Sequence, residues 1–106
     1  IEYEYQAKFE DCKNILPLPF DFHLINYNIL IEYDGEGHYK EIPYSNDVNK
    51  NKETYKKVKI NDQLKTNYCL SHNIHLIRIP YWKYDDIENI LFDEFIQQGV
   101  FEEISN

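Results

Sequence analysis

The chain has no methionine, one alanine (Ala7), one arginine (Arg78), three glycines and two cysteines among its 106 residues. These shortages exclude several classes of protein. Cys12 and Cys69 are too few and too widely spaced for a disulfide framework or a cysteine-type zinc site, so both are expected to be reduced and structural. No apolar run reaches the roughly 18 residues of a membrane span, and nothing resembles a secretory signal. The expectation is a soluble, intracellular domain with no membrane partner. There is no glycine-rich phosphate loop and no G-x-S-x-G, so neither a P-loop enzyme nor a serine hydrolase is supported. With Ile at position 1 and no Met, residues 1–106 read as one domain cut from a longer chain, large enough for one modest core. Abundant Ile, Asn, Lys and Tyr beside scarce Ala and Arg suggest an AT-rich genome, such as that of a phage, a large DNA virus or an AT-rich microbe.

Positive charge is also short: 19 acidic residues stand against 11 basic ones, a net charge of −8. That balance argues against a protein that coats nucleic acid electrostatically. The basic residues are not evenly spread, however. Lys50, Lys52, Lys56, Lys57 and Lys59 form a stripe, either a solvated helix start or local contacts to a polyanion, with carboxylates dominating elsewhere.

What the chain does have is acid at the end of apolar strands. Residues 1–6 alternate apolar or aromatic with polar side chains, the period of a half-buried strand. Residues 8–19, with Asn14, Pro17 and Pro19, read as a connection. Residues 20–25 and 28–34 follow as two strands joined at Asn26 and Tyr27. A two-residue turn there places residues whose numbers sum to 53 opposite one another, so Asp21 faces Glu32 with Cβ atoms about 4.5–5.5 Å apart. Asp34 shares the Glu32 face because side chains alternate with period 2. Three carboxylates so placed repel unless a cation sits among them. Asp21, Glu32 and Asp34 are thus candidate hard-oxygen ligands for Mg²⁺ or Mn²⁺. Gly35 and Gly37 are expected to turn the chain sharply and return His38 to the strand end. There an imidazole with an ordinary pKa of about 6.5 suits general-base work.

Residues 39–51 read as a loop and 52–73 as a helix with an apolar stripe at Ile60, Leu64 and Tyr68. Asp62 and Lys65, one turn apart, are expected to point together toward the strands, Lys65 holding a phosphate or steadying the attacking water. Residues 74–79 form an apolar strand ended by Pro80. A final helix is capped by Asp85 or Asp86, has Ile87, Ile90, Leu91 and Phe95 on its core face, and ends at Gly99. Strand, long helix and strand make a crossover, so the class is α/β or α+β, a small mixed sheet flanked by helices. Cys69, His72 and His75 have a C-x2-H-x2-H spacing, but the helix ends inside it, which speaks against zinc. His23 shares a strand face with Asp21, although a surface role fits it better. The many tyrosines and Trp82 can stack on bases, yet core packing accounts for most of them.

The run Phe20-Asp21-Phe22 through Ile31-Glu32-Tyr33-Asp34-Gly35-x-x-His38 resembles the PD-(D/E)XK nuclease superfamily. Its nearest likeness there is the very-short-patch-repair-like, restriction-endonuclease-like branch, with the related homing-type endonuclease domains. Asn61-Asp62-x-x-Lys65, Tyr68-Cys69 and Asn73-Ile74-x-Leu76-Ile77-Arg78-Ile79 are similar to the same branch. The resemblance implies a restriction-endonuclease-like core and Mg²⁺-dependent hydrolysis of DNA. It makes Asp21, Glu32 and Asp34 the metal-binding and catalytic acids, His38 the base, and Asp62 and Lys65 the acidic and basic positions of the following helix. Gln6 would support the site from the preceding strand, and Lys56, Lys57 and Lys59 would contact phosphates. Two departures stand out: Asp34 replaces the superfamily's lysine, leaving its role to His38 or Lys65, and only Glu2, Glu4 and Glu10 stand where an upstream helical Glu is usual. DNA and other domains of the parent chain are the implied partners. The rival readings are a catalytically silent nuclease-like module that binds nucleic acid or protein, and an acidic interaction domain with no nucleic-acid role.

Overall fold

The structure is a computed structural model that describes residues 2–100. Its first strand, β1 (Tyr3–Lys13), pairs antiparallel with β2 (Pro17–Leu24), which pairs antiparallel with β3 (Ile29–Asp34). A 3₁₀ turn (Glu36–His38) and a loop lead to the long helix α1 (Val48–Ser71), then to β4 (His75–Pro80), parallel to β3. A 3₁₀ segment (Tyr81–Asp86) precedes α2 (Ile87–Gln97). The sheet order is β1-β2-β3-β4, and the expected crossover is the β3-α1-β4 unit. The fold is therefore α+β, a four-stranded mixed sheet flanked by helices. Among the described residues no helix is long and apolar enough to cross a membrane.

Alternation along β3 and β4 divides the core in two. Ile29, Ile31, Ile77 and Ile79 pack with Leu24 and Val100 beneath Ile87, Ile90, Leu91 and Phe95 of α2, the core face expected for that helix. The intervening residues face α1, where Leu30 joins Phe20, Cys12 and Cys69, with Leu76 and Tyr68 against them. Even-numbered β3 residues thus meet α1, which puts Glu32 and Asp34 under that helix.

The β2–β3 register follows the expected sum: Phe22 pairs with Ile31, His23 with Leu30 and Leu24 with Ile29. The turn itself is longer than expected. Residues 25–28 form it, Tyr27 N–H donates to the Leu24 carbonyl, and Asn28 takes a left-handed φ of 58°. A four-residue turn centred on the same bond keeps the same register, which is why the pairing survives.

Several expectations are corrected. Residues 8–19 are not a connection: β1 runs on to Lys13 and β2 already begins at Pro17. The ladder shifts between Lys8 and Lys13, and both prolines lie beyond the last β2–β3 pair, where no N–H is required of them on that side. Gly35 has φ −68° and Gly37 no positive φ, so neither serves by conformational freedom. Gly37 matters through space instead, since a Cβ there would sit 3.0 Å from the Tyr44 hydroxyl. Helix α1 starts within the expected loop, where the Asp47 carboxylate caps the N–H groups of Asn49 and Lys50. Its inward face is not the expected apolar stripe: Ile60 is 54% exposed, while Asn51, Lys65 and Cys69 are buried. Asp86 sits at the N-cap of α2 without a side-chain capping bond.

Strands β1 and β2 break their pleat together. Tyr3 and Tyr5 pack on Phe22, on the α2 side, whereas Phe9 packs on Phe20, His23 and Tyr68, on the α1 side. The change of face falls between Tyr5 and Phe9 on β1 and between Phe20 and Phe22 on β2. Gln6, with a left-handed φ of 55°, lies at this break, directly across from Asp21 between the pairs Tyr5–Phe22 and Ala7–Phe20. A non-glycine residue pays about 1–2 kcal/mol for that conformation.

Helix α1 ends in a Schellman arrangement. Asn73 follows the C-cap His72 at φ 55°, and Ile74 N–H reaches back 2.9 Å to the Cys69 carbonyl. Asn73→Ala is expected to lower stability by about 1 kcal/mol, while Asn73→Gly holds or raises it. Urea denaturation at constant m-value reads the difference, and equal midpoints for the two variants would refute it.

Candidate functional site

At the open end of β2 and β3 the backbone ladder stops and side chains take its place. Beyond the Phe22–Ile31 pair, Asp21 N–H donates to Glu32 Oε1 at 2.9 Å, and Tyr33 N–H donates to Asp21 Oδ2 at 2.7 Å. Gln6 Nε2 donates to Asp21 Oδ1 at 3.4 Å. Each acid satisfies the neighbouring strand's backbone, so the strands part without orphaned N–H groups.

Glu32 is 3% exposed, and its second oxygen, Oε2, accepts from Lys65 Nζ at 3.0 Å. The Lys65 ammonium also lies 5.2 Å from the centre of the Phe20 ring. Burial pushes the Glu32 carboxyl above the usual glutamate range, and Lys65 opposes but does not cancel the effect. The inward face of α1 is polar here because the sheet beneath it carries acids.

One turn of β3 further on, Asp34 is 2% exposed and forms a second cluster. Both its oxygens accept from Arg78 Nη1 at 3.1 Å. Arg78 Nη2 donates to the Asp62 carbonyl and to Thr66 Oγ1. His38 Nδ1 lies 2.9 Å from Asp62 Oδ2 and 3.6 Å from Asp34 Oδ1. An ionised carboxylate only accepts, so Nδ1 carries the hydrogen of this bond. The Tyr39 hydroxyl donates to Asp34 Oδ2 at 3.5 Å, and burial with the Asp34 charge beside it raises the phenol pKa. Asp34, His38, Tyr39, Asp62, Thr66, Arg78, Gln63 and Lys59 line a polar cavity of about 240 Å³.

The expected acid triad is therefore divided. Asp21 and Glu32 stand with Lys65, and Asp34 stands with His38, Asp62 and Arg78. Among the described residues, one group of three potential ligands has its donor atoms within 4.8 Å of one another, namely Asp34, His38 and Asp62. Asp62 and Lys65 do point together at the strands, each into a different cluster. Lys59 reaches the cavity rim, 5.6 Å from the Tyr39 ring and 5.5 Å from the Tyr55 ring. Lys56 and Lys57 are exposed on α1 and line neither cluster. Glu2, Glu4 and Glu10 are exposed at or on β1, away from both acid groups.

Arg78 was missed as a site residue. It is the single arginine, it pairs in register with Glu32, and it shares the α1-facing parity of Leu76. That it is the single arginine and shares the parity of Leu76 was legible before the fold was known, whereas its pairing across to β3 was not. Cys69, His72 and His75 go separate ways: Cys69 is buried in the core, His72 meets Asp11 at 3.2 Å, and His75 meets Glu94 at 2.8 Å. Burial pushes the Cys69 thiol up to about 11 and also raises Cys12, leaving both as unreactive thiols.

The sequence matches no protein-family model and no solved structure. It is similar to "Uncharacterized protein 307L" of Invertebrate iridescent virus 6, with 33% identity over 82 residues, 77% of this chain. The matched segment spans 40% of that viral protein's length.

Removing one partner from a buried ion pair leaves an uncompensated charge, at a cost of about 3–5 kcal/mol. Lys65→Met is expected to lose stability on that scale, and Glu32→Gln with Lys65→Met to recover part of it. The pH dependence carries the sign. Glu32 ionises at higher pH folded than unfolded, so between the two pKa values the unfolded chain binds fewer protons and stability falls as pH rises. The fall should steepen in Lys65→Met and vanish in the double variant. Urea titrations from pH 4 to pH 8 check this, and a flat profile for Lys65→Met would contradict the assignment.

Proposed function

We propose that this domain is a metal-dependent phosphodiesterase acting on DNA. The observation that carries the reading is the convergence of two carboxylates, an imidazole and a guanidinium on one polar cavity at the end of β3. The sequence resemblance to PD-(D/E)XK nucleases supports it independently of the geometry.

The donor set fits a hard divalent cation, with Asp34 and Asp62 supplying oxygens and His38 beside them. Such an ion, Mg²⁺ or Mn²⁺, would supply charge neutralisation at the phosphate and acidify a bound water. The chain's own groups do the rest. Asp62 fixes the His38 ring through Nδ1, which leaves Nε2 as the atom to take the proton of an attacking water. Arg78 offsets the Asp34 charge and Lys59 presents an ammonium at the rim to a phosphate oxygen. Water adds to phosphorus, its proton passes to Nε2, and the opposite P–O bond breaks, the leaving oxygen taking a proton from solvent. Lys65 stays bound to Glu32 and keeps the strand end in place.

Cleavage of plasmid and oligonucleotide DNA with Mn²⁺ tests the reading. His38→Ala should lose about 10²- to 10⁴-fold in rate, and Asp34→Ala and Asp62→Ala should abolish Mn²⁺ dependence. Asp21→Ala and Glu32→Ala decide which cluster holds the ion: a loss equal to that of Asp34→Ala restores the wider ligand set. Equal rates in wild type and all five variants would remove the site.

A silent, nucleic-acid-binding module is the second reading, favoured by one observation. Each acid of the two clusters already has an internal partner, and no buried side-chain nitrogen or oxygen among the described residues lacks one. In that case Mn²⁺ raises neither the melting temperature nor any cleavage.

A further inference from the structure

Beside the polar cavity lies a group of rings that the chemistry above does not use. Tyr39 is the hinge between the two. Its hydroxyl reaches Asp34 inside the cavity, while its ring meets Trp82 at 4.7 Å and Tyr81 at 5.9 Å between centroids. Tyr81 and Trp82 are themselves 5.3 Å apart. Core packing does not account for this arrangement, because Trp82 is 60% exposed and Tyr39 38% exposed. The Lys59 ammonium lies near the rings of both Tyr39 and Tyr55. The Tyr55 hydroxyl donates to the Tyr39 carbonyl, which ties the ring-bearing segment to α1.

We infer that Trp82 and Tyr39 form a stacking platform for an unpaired nucleobase, next to the phosphate that Lys59 and the polar cavity receive. The inference rests on the phosphodiesterase reading of that cavity and names its substrate class: a strand with exposed bases, either single-stranded DNA or an opened duplex. The physical reason is a balance of terms. With a net charge of −8, the protein gains little from long-range attraction to DNA, so affinity must come from short-range contact. Base–aromatic stacking is such a contact, indifferent to sequence and weakly dependent on salt, and an exposed indole is its best partner. Bases inside a continuous duplex already stack on one another and present no free face. A base freed from the stack does, and a lysine beside an aromatic platform gives its phosphate a partner.

Trp82 is the only tryptophan in the chain, so its fluorescence reports the platform directly. The 106-residue protein in EDTA, where no cleavage is needed, is titrated with a single-stranded oligonucleotide. Parallel titrations use an abasic strand of equal length and phosphate number, and the matching duplex. The single strand should quench Trp82, and the other two should do so weakly. By anisotropy of an end-labelled strand, Trp82→Ala should bind about tenfold more weakly and Trp82→Phe within about twofold of wild type. Equal quenching by the abasic strand or the duplex overturns the proposal, as does undiminished binding by Trp82→Ala. Quenching without Mn²⁺-dependent cleavage would leave the platform standing and remove the phosphodiesterase reading. Cleavage without quenching would do the reverse.

Discussion

The structure depends on how β2 and β3 come apart. Two antiparallel strands that separate leave N–H groups without their ladder partners. Here the acids of each strand accept from the backbone of the other, Asp21 from Tyr33 and Glu32 from Asp21. The exchange lets the strands diverge and leaves carboxylates fixed to the backbone by short bonds. It also explains the strained neighbour across β1: Gln6 sits at a left-handed φ opposite Asp21, where both strands change face and Gln6 can reach the Asp21 carboxylate. Strain, parting and placed acid are one feature.

Charge buried in this way requires partners, and each partner comes from a different element. Glu32 of β3 is met by Lys65 of α1, Asp34 of β3 by Arg78 of β4, and Asp62 of α1 by His38 of the 3₁₀ turn. Arg78 bridges further, to the Asp62 carbonyl and Thr66. The crossover helix is thus held against the sheet by polar bonds at its middle and by apolar packing near its end, at Tyr68 and Cys69. Buried pairs of this kind add little net stability compared with apolar packing, but they penalise any slip in register. A one-residue slip of β4 would move Arg78 to the α2 face and strand Asp34.

What the sequence disclosed, and what it hid, follows from this division of labour. Alternation on β3 and a turn centred on Asn26 and Tyr27 were sufficient for the β2–β3 register, because parity survives a change in turn length. Asp62 and Lys65 were legible as an inward pair from helical spacing alone. The inward face of α1 was misjudged because an apolar stripe was assumed, whereas the acid below selects Lys65, the loop at Ser45 takes Asn51, and Ile60 is left in solvent. The length of β1 was hidden by Pro17 and Pro19, whose effect depends on which neighbour they face. The division of the acid triad was hidden too, since it turns on Arg78, 44 residues from Asp34 in sequence and adjacent to it only through a parallel pairing.

The local charge at the polar cavity differs from that of the whole chain, and this bears on what the cavity can bind. Among its lining groups, Asp34 and Asp62 are offset by Arg78 and Lys59, with His38 beside them. The excess of acid elsewhere is screened over about 8 Å at physiological ionic strength, so its influence fades across the width of a small domain. A divalent cation at the two carboxylates would turn a neutral cavity positive and make a phosphate welcome where the net charge of −8 suggests repulsion. On the proposed reading, an ion at these carboxylates would offset the acid of the chain at the cavity itself, and this would link the ligands on β3 and α1 to an anionic substrate.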